Sequence, residues 1–249
     1  MATKNTEKAK AQYNDQSIKA LKGADRVRKR PAVIFGSDGI EGCEHAAFEI
    51  ISNSIDEARA GYGEKIIVTR YNDGSTEVED FGRGCPVDWN NNEQRYNWEL
   101  LFCELYAGGK YDNNSGDAAY EYSLGLNGLG ACATQFASQF MTVRSYSKGY
   151  VSSISFERGF PVTELEVREI AKKEKKTGTV IHWKPDLDVF TEINIEREYF
   201  EDVLKKQAVV NAGLKFVLKI ETAPNKFEKS EFLYEHGISD YVAELAGTS

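Results

Sequence analysis

The chain has 249 residues, 41% hydrophobic and 28% charged, enough to bury a core of one large domain or one and a half. Its net charge of −8 and pI of about 5.1 exclude a chain that grips duplex DNA over its whole surface, since that contact relies on Lys and Arg neutralising phosphates. No basic leader precedes an apolar run, and no apolar run is long enough to cross a bilayer, so secretion and membrane insertion are not expected. Cys43, Cys85, Cys103 and Cys132 are scattered, and His45, His182 and His236 lie far apart. Neither a zinc site nor a disulfide framework is indicated, and a reduced cytoplasmic protein fits.

Residues 1 to 12 are polar and rich in Lys and Ala. A short helical pattern, Ser17 to Lys22, ends at Gly23, and Arg26-Val-Arg-Lys-Arg-Pro31 then leads into the apolar stretch Ala32 to Phe35. Phe48, Ile51, Ile55 and Ala58 recur at spacings of three, four and three, which predicts an amphipathic helix with those residues inward, stopped by Gly61 and Gly63. Lys65 to Tyr71 reads as a strand, Asn72 to Ser75 as a tight turn and Thr76 to Asp80 as the returning strand.

After Pro86 the sequence predicts a long Asn-rich connection and a helix from Trp98 to Ala107. A glycine-rich region follows from Gly108 to Gly130, then a helix from Ala131 to Ala137. Strands are expected at Phe140 to Tyr146, Tyr150 to Phe156, Thr179 to Lys184 and Leu214 to Glu221, with a helix from Ile195 to Val210. Lys172, Lys173, Lys175 and Lys176, interleaved with Glu174, read as a solvated loop between strands. Hairpins combined with helices, without regular βαβ alternation, predict an α+β fold: a two-layer α/β sandwich, its mixed and mostly antiparallel sheet covered by helices on one face.

Four motifs carry chemistry. On the amphipathic helix Glu49, Asn53 and Asp56 share a stripe, with His45 one turn earlier; alone, this is the wet side of a surface helix. Asp80-Phe-Gly-Arg-Gly84-Cys-Pro86 ends a strand with a carboxylate able to accept from an exocyclic amine, and Gly82 and Gly84 would let a flat ring approach the backbone. Gly125-Leu126-Asn127-Gly128-Leu129-Gly130-Ala131 opens onto a helix N-terminus, a setting that favours phosphate, but it has neither the Rossmann nor the P-loop spacing. Thr177-Gly-Thr179 enters a strand, as many plain turns do.

In this order the four motifs resemble the boxes of the GHKL (Bergerat-fold) ATPases, and within them the family of gyrase B and its topoisomerase IV counterpart, the ATPase components of bacterial type IIA DNA topoisomerases. Tyr13-Asn-Asp-Gln-Ser-Ile-Lys19, Arg26 to Pro31, Asn53 to Gly61 and Ala107-Gly-Gly-Lys110-Tyr extend the similarity from Tyr13 to Leu245.

The resemblance implies ATP as substrate and Mg²⁺ as cofactor. Glu49 would be the general base, oriented by His45, and Asn53 would hold Mg²⁺. Asp80 would accept from the adenine amine, with Thr179 nearby through a water, and Arg83 would pair with Glu57 beneath the base. Asp56, Gly84 and Pro86 would complete the pocket. Gly125, Leu126, Asn127, Gly128, Leu129, Gly130 and Ala131 would form the lid, and Lys110 would offset phosphate charge. Tyr13 and Ile18 belong to an arm, residues 1–22, that would reach a second copy of the chain when ATP closes the dimer. Residues 23–230 would form the ATP-binding domain and 231–249 the start of a second, transducer domain. The implied partners are the DNA-cleaving component of gyrase or of topoisomerase IV, and DNA through domains beyond this chain.

The chain departs from the family at three places. Cys85 stands where an aliphatic residue is usual, and it reads as a small hydrophobe rather than a thiol for covalent ligands. Asn127 replaces a lid histidine, and Asp112 to Tyr122 is longer than usual. Met141 to Tyr146 lacks the family's pocket-rim arginine, with Arg144 close in sequence, so weaker binding of aminocoumarins than of ligands relying on Asp80 is expected. No Gln-Thr-Lys tripeptide occurs, so slow hydrolysis is expected. Two other readings share these motifs: a GHKL phosphotransferase, which would need a phospho-accepting His helix not seen in this sequence, and a non-hydrolysing nucleotide-binding module, against which Glu49 argues.

Overall fold

The computed structural model describes residues 21, 23–106, 129–171 and 176–247. Apart from Leu21, the helix expected at Ser17 to Lys22 lies outside the described residues, as do Tyr13, Ile18, Lys110, Gly125 to Gly128 and Lys172 to Lys175.

The basic segment and the apolar stretch after it form two short helices, α1 (Ala24–Arg28) and α2 (Pro31–Phe35). Pro31 occupies the first turn of α2, where its missing N–H costs nothing, and Gly36 caps the end in the left-handed conformation. Helix α3 spans Ile40–Arg59. Its buried stripe is Cys43, Ala46, Ala47, Ile50, Ile51, Ser54 and Ile55. Phe48, expected on that stripe, is only half-buried and faces a groove beside α6 (Arg197–Val210). The buried positions recur at 43, 46/47, 50/51 and 54/55, so Phe48 falls at the border of that stripe rather than at its centre.

Strands β1 (Lys65–Arg70) and β2 (Thr76–Asp80) form the expected hairpin. Asp73 Oδ1 accepts the Ser75 N–H at 2.9 Å and its hydroxyl at 2.6 Å, which closes the turn. The Asn-rich connection contains a small hairpin, β3 (Trp89–Asn90) and β4 (Arg95–Tyr96), held by the edge-on packing of Trp89 on Tyr96. Helix α4 is Asn97–Cys103, shorter than expected: Glu104 is extended and Tyr106 has a positive φ, so the helix cannot run on. Helix α5 (Gly130–Phe136) and strands β5 (Ser138–Ser147) and β6 (Tyr150–Glu157) follow. After β7 (Phe160–Pro161), β8 (Glu166–Glu169) and β9 (Gly178–Pro185), α6 precedes β10 (Lys215–Ala223), β11 (Lys226–Phe232) and α7 (Ile238–Ala246).

Eight strands run in the order β11-β10-β1-β2-β9-β5-β6-β7, with β8 added on β6. Among the described residues only the β1–β10 pairing is parallel, so the sheet is mixed and mostly antiparallel, as expected. On β1, β2, β9 and β5, Ile66, Val68, Val78, Ile181, Trp183, Met141 and Val143 turn inward under α3 and α5 to form the main core. The opposite face carries a smaller cluster, Tyr146, Val151, Ile170 and Val180, and the ion pairs Glu77–Arg144 at 2.8 Å and Glu79–Lys176 at 2.7 Å. Two layers with helices on one face result, the architecture expected.

Candidate functional site

Helix α3 carries the site along one edge. Glu49, Asn53 and Glu57 lie at i, i+4 and i+8, a stripe about 12 Å long by helix rise, and all three are half-buried. Asp56 borders it and is also half-buried.

At one end, His45 Nε2 lies 3.1 Å from Glu49 Oε1, while Nδ1 lies 3.1 Å from the Phe35 carbonyl. The Phe35 carbonyl can only accept, so Nδ1 carries a proton and the ring is held in one orientation by α2. Glu49 Oε2 points at the first residue of α5. A Cβ on Gly130 would sit 2.0 Å from that oxygen, so the glycine lets the helix start rest directly on the carboxylate, and a side chain there would have to displace it. Thr134, one turn along, donates its hydroxyl to the Ala46 carbonyl at 3.1 Å, which ties α5 to α3 at this register.

At the other end, β2 delivers Asp80, 6% exposed. Its Oδ1 accepts the N–H groups of Gly82 and Thr179, each at 3.0 Å, and Oδ2 accepts the Ser54 hydroxyl at 3.2 Å. A carboxylate offers about four acceptor positions, so these three bonds leave one on Oδ2. Burial pushes the Asp80 carboxyl above its ordinary range, and the Gly82, Thr179 and Ser54 donors only partly offset that. Arg83 forks onto Glu57, Nε to Oε1 at 2.8 Å and Nη2 to Oε2 at 2.9 Å, and its guanidinium lies 3.8 Å from the Tyr62 ring centre. The pairing of Arg83 with Glu57 is the one expected.

Past the turn, the N–H of Cys85 donates to Thr179 Oγ1 at 3.0 Å and its carbonyl accepts the Ser145 hydroxyl at 2.7 Å. Burial pushes the Cys85 thiol up to about 12, so it is neutral at pH 7. Pro86 follows at the rim. Arg144, the nearest arginine to the rim in sequence, is bound to Glu77 on the far face of the sheet and cannot serve there.

The structure therefore sets His45, Glu49 and Asn53 along one edge of α3, with Gly130 against Glu49, Arg83 on Glu57 and Asp80 on Ser54, and it holds Thr179 and Gly84 beside Asp80 on the sheet; Leu129 and Ala131 flank Gly130. Tyr13, Lys110, Gly125, Leu126, Asn127 and Gly128 lie outside the described residues. Sequence reasoning missed Ser54 and Ser145, lone hydroxyls whose partners lie 26 and 60 residues away. Two surface hollows, of about 270 and 410 Å³, lie off this edge: one is beside α4, and the other is between α3 and α6, where His45 forms part of its wall.

No family model matches the chain. Across 94% of its length it is 40% identical to the B component of DNA gyrase from Thermotoga maritima, covering 35% of that protein. It is 38% identical over 96% of its length to the same gyrase component from Caulobacter vibrioides, and 38% over 94% to the B component of DNA topoisomerase 4 from Bacillus subtilis, covering 30% and 34% of those proteins. The chain thus spans about a third of the length of the curated relatives it matches. Among solved structures, the 43K ATPase domain of Thermus thermophilus gyrase B, in complex with an aminocoumarin, superposes with a TM-score of 0.74 at 30% identity, over 90% of this chain and 54% of that one. Sequence and fold agree, and the chain belongs to the family of the ATPase domains of gyrase B and its topoisomerase IV counterpart.

Proposed function

We propose that the chain binds ATP along the α3 edge and hydrolyses it, and that in a whole type II topoisomerase this closes a dimer and drives DNA strand passage. The observation that carries the reading is the α3 stripe itself. One end abuts a glycine-led helix start with a carboxylate–imidazole pair, and the other abuts a buried aspartate with an acceptor position to spare. A span of about 12 Å suits an extended nucleoside triphosphate.

In this reading Asp80 takes the adenine amine on its remaining lone pair, and Gly84 and Pro86 flank the ring. Thr179 serves the base through a water, and Asp56 and Arg83 complete the wall. The N-terminus of α5, with Leu129, Gly130 and Ala131, faces the phosphates, and Lys110 and Gly125 to Gly128 add charge and backbone donors. Glu49 takes the proton of the attacking water. His45 shares it across the 3.1 Å contact while Nδ1–H stays on the Phe35 carbonyl. Catalysis then rests on positioning and electrostatics rather than a covalent step.

Among the described residues no group of three or more His, Cys, Asp or Glu side chains is arranged to hold a metal ion. Asn53 offers one neutral oxygen, which fits Mg²⁺ when phosphates and water supply its other ligands. The ion would neutralise phosphate charge.

We take residues 1–22 as an arm that reaches a second copy of the chain and 231–249 as the start of a transducer domain. The partners of the whole enzyme are its DNA-cleaving component and DNA itself, in the cytoplasm. No helix among the described residues is long and apolar enough to cross a membrane.

Calorimetry with a non-hydrolysable ATP analogue and Mg²⁺ tests the reading. Binding to the unaltered chain and its loss in Asp80→Asn, whose amide would present N–H groups to the adenine amine, are expected. Equal binding by both would remove Asp80 from the site. Glu49→Ala should keep the analogue and lose hydrolysis.

A further inference from the structure

The strip Gly84–Cys85 is held from two strands at once. Thr179 on β9 and Ser145 on β5 face each other in register, Ser145 3% exposed. The Thr179 oxygen accepts the Cys85 N–H, and the Ser145 hydroxyl donates to the Cys85 carbonyl, so both backbone polar groups of that residue are bound by side chains from the sheet. Gly84, at φ 85°, is pressed down beside them. A Cβ there would lie 2.7 Å from the Tyr146 carbonyl oxygen and 2.8 Å from Ser145 Oγ, so no side chain is tolerated and the strip lies flat on β5. Thr179 also gives its own N–H to Asp80, so strip and carboxylate hang from the same residue.

We propose that Ser145 is a positioning residue that sets base selectivity: by clamping the Cys85 carbonyl, it fixes the floor under the purine ring relative to the spare acceptor position of Asp80. Thr179 alone holds one side of the strip and would let it pivot. With both bonds made, a ring lying on Gly84–Cys85 has its exocyclic amine aimed at Oδ2. Ser145 itself touches no substrate. This inference rests on the adenine reading of the site.

The test compares the unaltered chain with Ser145→Ala and with Ser145→Cys, which keeps the side-chain shape but donates weakly. Calorimetry measures non-hydrolysable analogues of ATP and of inosine triphosphate, which carries a carbonyl in place of the amine. Losing one buried hydrogen bond should lower the ratio of ATP to inosine nucleotide affinity about tenfold in Ser145→Ala. An intermediate fall is expected in Ser145→Cys, which also serves if the alanine variant does not fold. KM for ATP should rise with kcat unchanged, since the Glu49 end is untouched. A ratio that stays put in either variant, with both affinities falling together, would mean general loosening and overturn the proposal. If the unaltered chain itself shows no preference for ATP, the adenine reading fails instead.

Discussion

At Gly130 a single hydrogen atom stands where any other residue would place carbon against Glu49 Oε2. Gly130→Ala should therefore push the carboxylate off its line to water while leaving the sheet and core unchanged. A displacement of about 1 Å can cost on the order of 100-fold in rate. Single-turnover hydrolysis should fall by about that much with nucleotide affinity kept within a few-fold, and an active Gly130→Ala would remove Glu49 from the base role. Asp80 gives a second residue-scale prediction, with two opposite signs. Its carboxyl is raised in the folded chain, so the protonated form suits the fold: its contribution to stability is present at acid pH and lost as pH rises through the raised value. Nucleotide binding needs the ionised form and runs the other way. Affinity for ATP should weaken as pH falls from neutral toward the top of the carboxylate range, and the weak binding of Asp80→Asn should show no such slope. Titration calorimetry at several pH values checks this. The sequence displayed Asp80 through the glycines that follow it, and Glu49 through the polar stripe it shares with His45, Asn53 and Asp56. Ser54 and Ser145 carried no such mark, since one hydroxyl in a helix or strand says nothing about a partner far along the chain.

Among the elements, those with a buried face and a marked turn were readable. The β1–β2 hairpin follows from alternation in Lys65 to Arg70 and an Asn-Asp-Gly-Ser turn, and α6 and β10 from their apolar periodicity. Strands β8 and β11 were not, because Glu-Val-Arg-Glu is wholly exposed and Lys226 to Phe232 is mostly polar; their strand conformation is imposed by the neighbour they pair with. Helix α1 is too short to hold itself and is fastened by tertiary bonds. Arg28 donates to the Phe136 carbonyl at 3.0 Å and to Asp186 Oδ2 at 2.7 Å, and Arg158 approaches the same carboxylate at 3.8 Å. Burial alone would raise the Asp186 carboxyl, but the Asp188 N–H and the Arg28 guanidinium outweigh it and hold it below the usual range. Arg28→Ala leaves Asp186 with only the exposed Arg158 as counter-charge. A loss of about 2 kcal/mol in urea unfolding is expected, and no change would mean that α1 is held by apolar packing alone.

For the whole molecule, a net charge of −8 and a triphosphate ligand are reconciled by placement: the arrangement needs positive field at one helix start, not over the surface. The resemblance implies a lysine in a Gln-Thr-Lys loop of a second domain, a tripeptide not found in these 249 residues. The isolated chain should thus bind ATP yet turn it over slowly compared with a longer chain that includes that loop. Steady-state assays of the two lengths side by side would settle it, and equal rates would show that the described site is sufficient. The mixed sheet joins β1 to β10 across some 150 residues, so no local pattern could have announced that parallel pairing.

The sheet ends in strands that other sheets find hard to join. On β11 the solvent edge carries Lys226, Glu228, Lys229 and Glu231, and the opposite end is the two-residue β7, whose Pro161 has no N–H to offer. An incoming strand would have to desolvate alternating charges at β11, and at the other border it would meet only the two-residue β7 and the short, exposed and charged β8. Borders of this kind guard the sheet against fibrous stacking at high concentration.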